Sequence, residues 1–342
     1  VARNATSGNG GGIFVVGDGG VLTVKDSAVR RNVAGSDGGG LFAGTATLTN
    51  CTLSGNSAVV FGGGVWATAA TLTNCTVSSN AAHGITGSGG GIGANVVTLT
   101  GCTVSGNTAA DDGGGIFAVT ATLTNSTVSG NSAFAGGGLF AGTATLTNST
   151  VSGNVALASN GGGIHAATAN LTNTTVAGNT AGSSGGGVWA TAATLVNDTV
   201  ADNIAHTGGG LFHNPGGTFN VQNTIVALNL IDFGGAGPDV SGAFTSLGHN
   251  LIGDGTGSTS FTNGLNSDIV GTAANPIDPK LGALRNNGGR TMTMALLAGS
   301  PAIDHGDNTV TLASDQRGIG IARKKDGNGD GIAVVDVGAF ER

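Results

Sequence analysis

Apolar and polar residues alternate along "ATLTNSTVSGN", residues 121–131: Ala121, Leu123 and Val128 are apolar, while Thr122, Thr124 and Thr127 are polar. A period of two, enriched in Thr and Val, predicts short strands, and nothing in the repeats shows helical spacing or a run of helix length. The same stretch recurs with small edits as "ATLTNCTLSGN" from Ala46, "ATLTNCTVSSN" from Ala70 and "ATLTNSTVSGN" from Ala144.

Two markers give the period. Glycine triplets begin at Gly10, Gly38, Gly62, Gly89, Gly113, Gly136, Gly161, Gly185 and Gly208, at intervals of 23 to 28 residues. An Asn closes each "SGN"-type element, at Asn32, Asn56, Asn80, Asn107, Asn131, Asn154, Asn179, Asn203 and Asn229. A further position, held by Asn50, Asn74, Gly101, Asn125, Asn148, Asn173 and Asn197, follows the last glycine of the triplet by ten residues and precedes the closing Asn by six. Length varies almost only between the closing Asn and the next triplet, so two sides of each repeat are fixed and one corner is a variable loop. Leucine-rich repeats have a similar period but need several Leu per repeat, and calcium-binding glycine-rich repeats need a regular Asp; neither is present. The expected fold is all-β: a parallel β-helix of about nine coils over residues 1–229, each coil being about three short strands paired to the next coil ~4.8 Å away.

In such a stack equivalent residues form rows. Asn accepts left-handed backbone geometry at a corner and can pass amide hydrogen bonds along a row, so both Asn positions are expected to form structural ladders. Cys51, Cys75 and Cys102 share one position, where later coils place Ser126, Ser149 and Thr174; they read as a row of small buried thiols, with an inter-coil disulfide or metal site as the functional alternative.

Charge narrows the function. Charged residues are 9% of the chain, its net charge is -7, and no Lys or Arg lies between Asn32 and Pro279. A nucleic-acid or anionic-membrane surface needs clustered cations and is not expected. No apolar run approaches the ~18 residues of a spanning helix, and no leader opens the chain. After Asn229 the composition changes: seven cations lie between Lys280 and Lys325 and four prolines follow Gly237. Residues 230–342 are therefore expected to form a distinct region that packs on or caps the coils.

That region carries a resemblance. "NNGGRTMTMALLAGSPAIDHGD" from Asn286, "DQRG" from Asp315 and "DGNGDGIAVVDVGAFE" from Asp326 resemble the end of choice-of-anchor Q proteins, and the glycine-triplet coils resemble polymorphic outer-membrane and adhesin-like repeats. The resemblance covers nearly the whole chain. It implies a bacterial right-handed β-helix that is secreted or held at the cell surface, with signal peptide and anchor removed by processing. It carries over no catalytic residue.

Several candidate sites remain. Asp326, Asn328 and Asp330, followed by Gly331, have the oxygen spacing of a calcium loop; Val337 stands where the bidentate Glu is expected, and Asp336 beside it would complete the Ca2+ site, the alternative being a plain Asp/Gly turn. His206 and His213 flank a glycine triplet without an accompanying carboxylate cluster. Polysaccharide lyases and hydrolases also use parallel β-helices, but Asp111, Asp112, Asp198 and Asp202 have no cation near them in sequence, so catalysis on the coils is not expected. The position after the first apolar residue following each triplet reads Phe14, Phe42, Trp66, Gly93, Phe117, Phe140, His165, Trp189 and Phe212. If Leu41, Val65, Ile116 and Val188 point inward, alternation makes Phe42, Trp66, Phe117, Phe140, Trp189 and Phe212 an outward stripe for ligand or assembly; a backbone bend after the glycines would instead bury it. Thr-x-Thr pairs such as Thr47 and Thr49, or Thr122 and Thr124, resemble ice-binding faces, although Thr is an ordinary choice on an exposed strand.

The resulting expectation is a non-catalytic extracellular or cell-surface structural or adhesive protein that associates with itself or with another surface component. A polysaccharide-binding or polysaccharide-cleaving protein on the same scaffold is the alternative, and an ice-binding face a minor one.

Overall fold

The computed structural model describes residues 1–16, 19–310, 312–318 and 320–342. The described residues up to Val270 form one solenoid of three parallel sheets. The coil at residues 116–133 is representative: Ile116–Thr124 belongs to the long sheet, Thr127–Ser129 to the middle sheet and Ser132–Ala133 to the short-stranded sheet. Each strand pairs in register with its counterpart one coil on, Ile116 with Leu139, Val128 with Val151 and Ser132 with Val155. Register is strict because a slip of one residue would turn Ala121 and Leu123 out of the core.

Every corner has its own chemistry. Between long and middle strands the chain turns through Asn in the left-handed region, at φ of 53° for Asn50 and 50° for Asn125, Asn148 and Asn173. Between middle and short strands the glycine of "SGN" turns, for example Gly130 at φ 63°, and the Asn that follows dives inward. The glycine triplet closes the coil. A Cβ on Gly115 would lie 2.6 Å from the Gly138 carbonyl oxygen and 3.0 Å from Asn131 Nδ2, so the third glycine leaves room for both the next coil and the buried Asn. The core between the sheets is a stack of fully buried aliphatic rows, such as Leu48, Leu72, Leu99, Leu123 and Leu146.

Coil pairing continues past Asn229, and this corrects the boundary expected there. Leu230–Ala236, Val240–Ser241, Thr245–Gly248, Leu251–Ile252 and Ile269–Val270 each extend one of the three sheets. The period disappears from the sequence because its markers change while their roles persist: Gly237-Pro238-Asp239 stacks beneath the triplet at Gly208, with the Pro238 and Asp239 carbonyls against Gly209 and Gly210. From Phe219 on, the aliphatic core is joined by buried Phe219, Phe244 and Phe261, whose rings lie 4.9 and 5.5 Å apart in succession and fill that end of the solenoid.

The remaining residues run back along the outside of the middle sheet instead of covering its end. Ala339 N–H donates to Thr199 Oγ1 (3.0 Å), Gln316 Nε2 donates to the Ser149 carbonyl and to Thr150 Oγ1 (3.0 Å each), and Thr291 Oγ1 donates to the Asn148 carbonyl (3.1 Å). Beneath this tail the outward positions of the middle sheet turn apolar: Ala177 and Ala201 meet Met294, and Ile225 and Leu251 meet Leu296, Ile303, Val337 and Phe340 in a second core outside the solenoid.

Candidate functional site

The Asn rows consume much of the coils' polarity. In the closing row, Asn131 Nδ2 donates to Asn154 Oδ1 (2.9 Å) in the next coil and to the Val104 carbonyl (3.0 Å) in the one before. Its backbone N–H also donates to Asn154 Oδ1 (3.0 Å), and its own Oδ1 accepts two bonds from Asn107 (2.9 Å each). The pattern runs through Asn56, Asn80, Asn107, Asn131, Asn154, Asn179 and Asn203 to Asn229, whose Nδ2 donates to Asp239 Oδ1 (2.8 Å). Every amide in it is buried and satisfied.

The corner row is different, a correction to the expectation of two ladders. Among the described residues amide-to-amide bonds join Asn173 to Asn148 (3.1 Å) and Asn223 to Asn197, whereas Asn50 donates to Asp26 (2.9 Å) and Asn74 accepts from Arg290. The left-handed turn aims these side chains outward at the corner, so Asn50, Asn74, Asn125, Asn148, Asn173 and Asn197 serve mainly as turn residues. At Gly101, where the row lacks a side chain, a Cβ would lie 2.7 Å from Asn74 Oδ1 and 2.8 Å from Arg290 Nη1, so the Asn74–Arg290 contact lies over the glycine.

The cysteines belong to a third row, expected as small buried thiols with a disulfide or metal site as the alternative, and found to be a hydrogen-bonding row. Cys51 N–H donates to Cys75 Sγ and Cys75 N–H to Cys102 Sγ (3.3 Å each), and Cys102 N–H donates to Ser126 Oγ (3.1 Å). Later members are Thr174, whose N–H donates to Asp198 Oδ1 (2.7 Å), and Asp198, whose N–H donates to Thr224 Oγ1 (3.2 Å). The thiols are free and buried, and those of Cys75 and Cys102 accept from the coil before.

Alternation wins over a backbone bend for the aromatic stripe. Leu41, Val65, Ile116, Leu139 and Val188 are fully buried, and Phe42, Trp66, Phe117, Phe140, Trp189 and Phe212 stand half-buried on the outside of the long sheet. The rings then stack on one another. Phe117 and Phe140 have centroids 5.7 Å apart, Phe140 and His165 4.5 Å, and His165 and Trp189 4.2 Å. Gly93 breaks the row in sequence but not in space: Phe61, from a variable loop, inserts its ring between Trp66 (4.9 Å) and Phe117 (6.0 Å). Ring faces inside the run are thus taken by neighbouring rings, and solvent meets their edges. Burial pushes His165 down to about 4, so it sits there as a neutral ring. Next to this stripe the Thr rows hold perfect register, Thr71 with Thr98, Thr98 with Thr122 and Thr122 with Thr145.

The remaining candidates are not brought together. Asp326, Asn328 and Asp330 are exposed, and the Asp326 carboxylate accepts the N–H groups of Gly329 (2.6 Å), Asp330 (3.1 Å) and Gly331 (2.8 Å) in its own turn. Asp336 is buried, with its oxygens accepting from the backbone of Asp304 and Arg342 (2.8 Å each). Among the described residues no three His, Cys, Asp or Glu side chains converge as a metal would require. His206 pairs with Asp232 (2.6 Å), whereas His213 is buried against the Thr191 carbonyl (3.1 Å) and packs on Phe219, so the two histidines serve separate surroundings. Burial pushes Asp112 up to about 6, with the neighbouring Asp111 adding to the rise, on a variable corner; Asp198 lies within the solenoid, also raised by burial.

Residues 40–204 match the family model described as a right-handed beta helix region. No curated protein and no solved structure matches the chain. The family match, the order of strands in the three sheets and their parallel pairing agree on one architecture, the right-handed parallel β-helix.

Proposed function

We propose that this protein is a non-catalytic structural or adhesive module that works outside the cell or at its surface, presenting repeated strand faces to a polymer, to a second copy of itself or to another surface component. The observation that carries this reading is the outer face of the long sheet. Its aromatic and Thr rows repeat coil after coil in register, so any contact made by one coil is offered again one coil away. Such a surface gains avidity from repetition, because each further contact forms at the high effective concentration set by the first. The carboxylates Asp111, Asp112, Asp198 and Asp202 are distributed between a corner and the interior, which favours binding over cleavage.

The test incubates the protein with a panel of polysaccharides and follows both retention and the appearance of new reducing or unsaturated ends. Retention without new ends is expected; new ends would replace this reading with the enzymatic one. Light scattering at rising concentration addresses self-association: growth in particle size that Trp66→Ser reduces is expected if the aromatic stripe joins copies.

A further inference from the structure

The two tail motifs with no part in the surface just described meet at one place. "NNGGR", ending at Arg290, and "DQRG", containing Arg317, are separated by twenty-four residues in the chain, yet both line a cleft of about 500 Å3 against the corner asparagines Asn125 and Asn148. We propose that this cleft binds a carboxylate-bearing sugar unit of an acidic polysaccharide. The proposal rests on the adhesive reading above and names its ligand class.

The coils hold no Lys or Arg from Asn32 to Pro279, so positive charge reaches their outer surface here only because the tail delivers it. Arg290 is exposed, makes one contact to Asn74 Oδ1 at 3.3 Å, and has no carboxylate within ion-pair distance among the described residues. Arg317 is held rigidly: Nε and Nη2 donate to Asp315 Oδ2 (2.9 and 2.7 Å), Nη2 also donates to the Glu341 carbonyl, and the guanidinium lies 3.9 Å from the Phe340 ring centroid. Its own charge is balanced by Asp315, so Arg317 shapes the wall while Arg290 supplies the unbalanced charge. A planar guanidinium matches a carboxylate with paired parallel hydrogen bonds.

The remaining walls suit hydroxyl groups. Asn125 and Asn148 sit one coil apart at left-handed corners, and Asn125 makes no side-chain hydrogen bond inside the protein among the described residues. Its carboxamide offers a donor and an acceptor, the pair that vicinal hydroxyls of a sugar use. Gly289 is fixed by the fold, since a Cβ there would lie 2.7 Å from Arg317 Cα; the same lack of a side chain keeps the cleft open. The cleft's volume lies within the range of small-molecule sites, enough for a sugar ring or two, and the tail closes it beyond Asn148, where Asn173 is buried and donates to the Ser314 carbonyl (3.0 Å).

The experiment titrates the full chain with a galacturonate oligosaccharide, a neutral galactose oligosaccharide and sodium sulfate, read by calorimetry. The galacturonate oligomer is expected to bind, more weakly as salt rises, and Arg290→Gln and Asn125→Gly are each expected to weaken it by about tenfold without lowering the melting temperature. Arg290→Lys, which keeps the charge but not the fork, is expected to fall between wild type and Arg290→Gln. Unchanged binding in Arg290→Gln, equal binding of the neutral oligomer, displacement by sulfate at comparable concentration, or no binding of the acidic oligomer would each overturn the assignment. Retention of the protein on neutral polysaccharides in that last case would still leave the adhesive reading standing.

Discussion

The closing and the corner asparagine of the repeat do different physical work. Asn154 is buried, and its amide bonds to the coil on either side, so Asn154→Ala strands a donor and an acceptor within the core; a loss of about 1–3 kcal/mol is expected in denaturant unfolding. Asn125 holds a left-handed turn at the surface, where Gly is as comfortable, so Asn125→Gly is expected to stay within about 0.5 kcal/mol of wild type. Asn125→Ala places an ordinary side chain at positive φ and is expected to cost about 1–2 kcal/mol. Equal losses for the Gly and Ala variants at Asn125 would argue for an amide ladder there after all. Glu341 makes a second prediction at this scale. Burial, with Asp336 nearby, pushes its carboxyl up to about 8, against the opposing pull of Arg323. An acid whose folded pKa is raised holds its proton better folded than unfolded, so its contribution is fully present below the unfolded value and is lost as pH rises through the folded one. Asp198 and Asp336 are raised by burial in the same sense. The melting temperature is therefore expected to fall between about pH 5 and about pH 9, and Glu341→Gln to flatten that fall.

At the scale of strands and faces, the coils were legible and the tail was not. Period-two alternation and fixed spacings identify the long and middle strands because each repeat restates the same inward set, Ala121, Leu123 and Val128 in one coil and Ala144, Leu146 and Val151 in the next. The tail's docking face was written in the same repeats, but as a drift. The outward residue before each "GN" or "DN" is Ser129 and Ser152 in early coils and Ala177 and Ala201 in later ones, and outward Thr199 becomes Ile225. Compared coil by coil, that loss of polarity marks where a cover lies. The tail gives no matching signal, since its contacts come from isolated residues such as Gln316 and Met294 with no period to reveal them. The even spacing of the Asn corners also concealed Arg290, whose space is marked only by the missing side chain at Gly101. Leu296→Ala tests the second core directly: although Leu296 lies outside the solenoid, a loss of about 2–4 kcal/mol is expected, close to that of an interior leucine.

At the scale of the whole molecule, stability in a solenoid is close to a sum of coil and coil-to-coil terms, so coils that restate one another can be exchanged or removed as units. The tail limits that freedom. Its hydrogen bonds reach Asn74, Thr150, Thr175 and Thr199 in turn, each on a different coil. Deleting residues 39–62 removes a coil ahead of all these contacts, and the tail is expected to stay docked. Deleting residues 162–185 removes a coil between them, rejoins equivalent glycines just as cleanly, and leaves Gln316 and Ala339 a full coil out of step with Thr150 and Thr199. Trypsin reads the difference, because Lys280, Arg285 and Arg290 are exposed but sit on backbone held in the docked tail, and cleavage there is expected to speed up when the tail lifts; similar rates for both deletions would show that the tail docks independently of the coil count. The tail thus behaves as a gauge laid along the rod: it fixes how many coils lie between Asn74 and Thr199 while leaving the count before Asn74 free to grow or shrink, so related chains of different reach can share one unaltered tail.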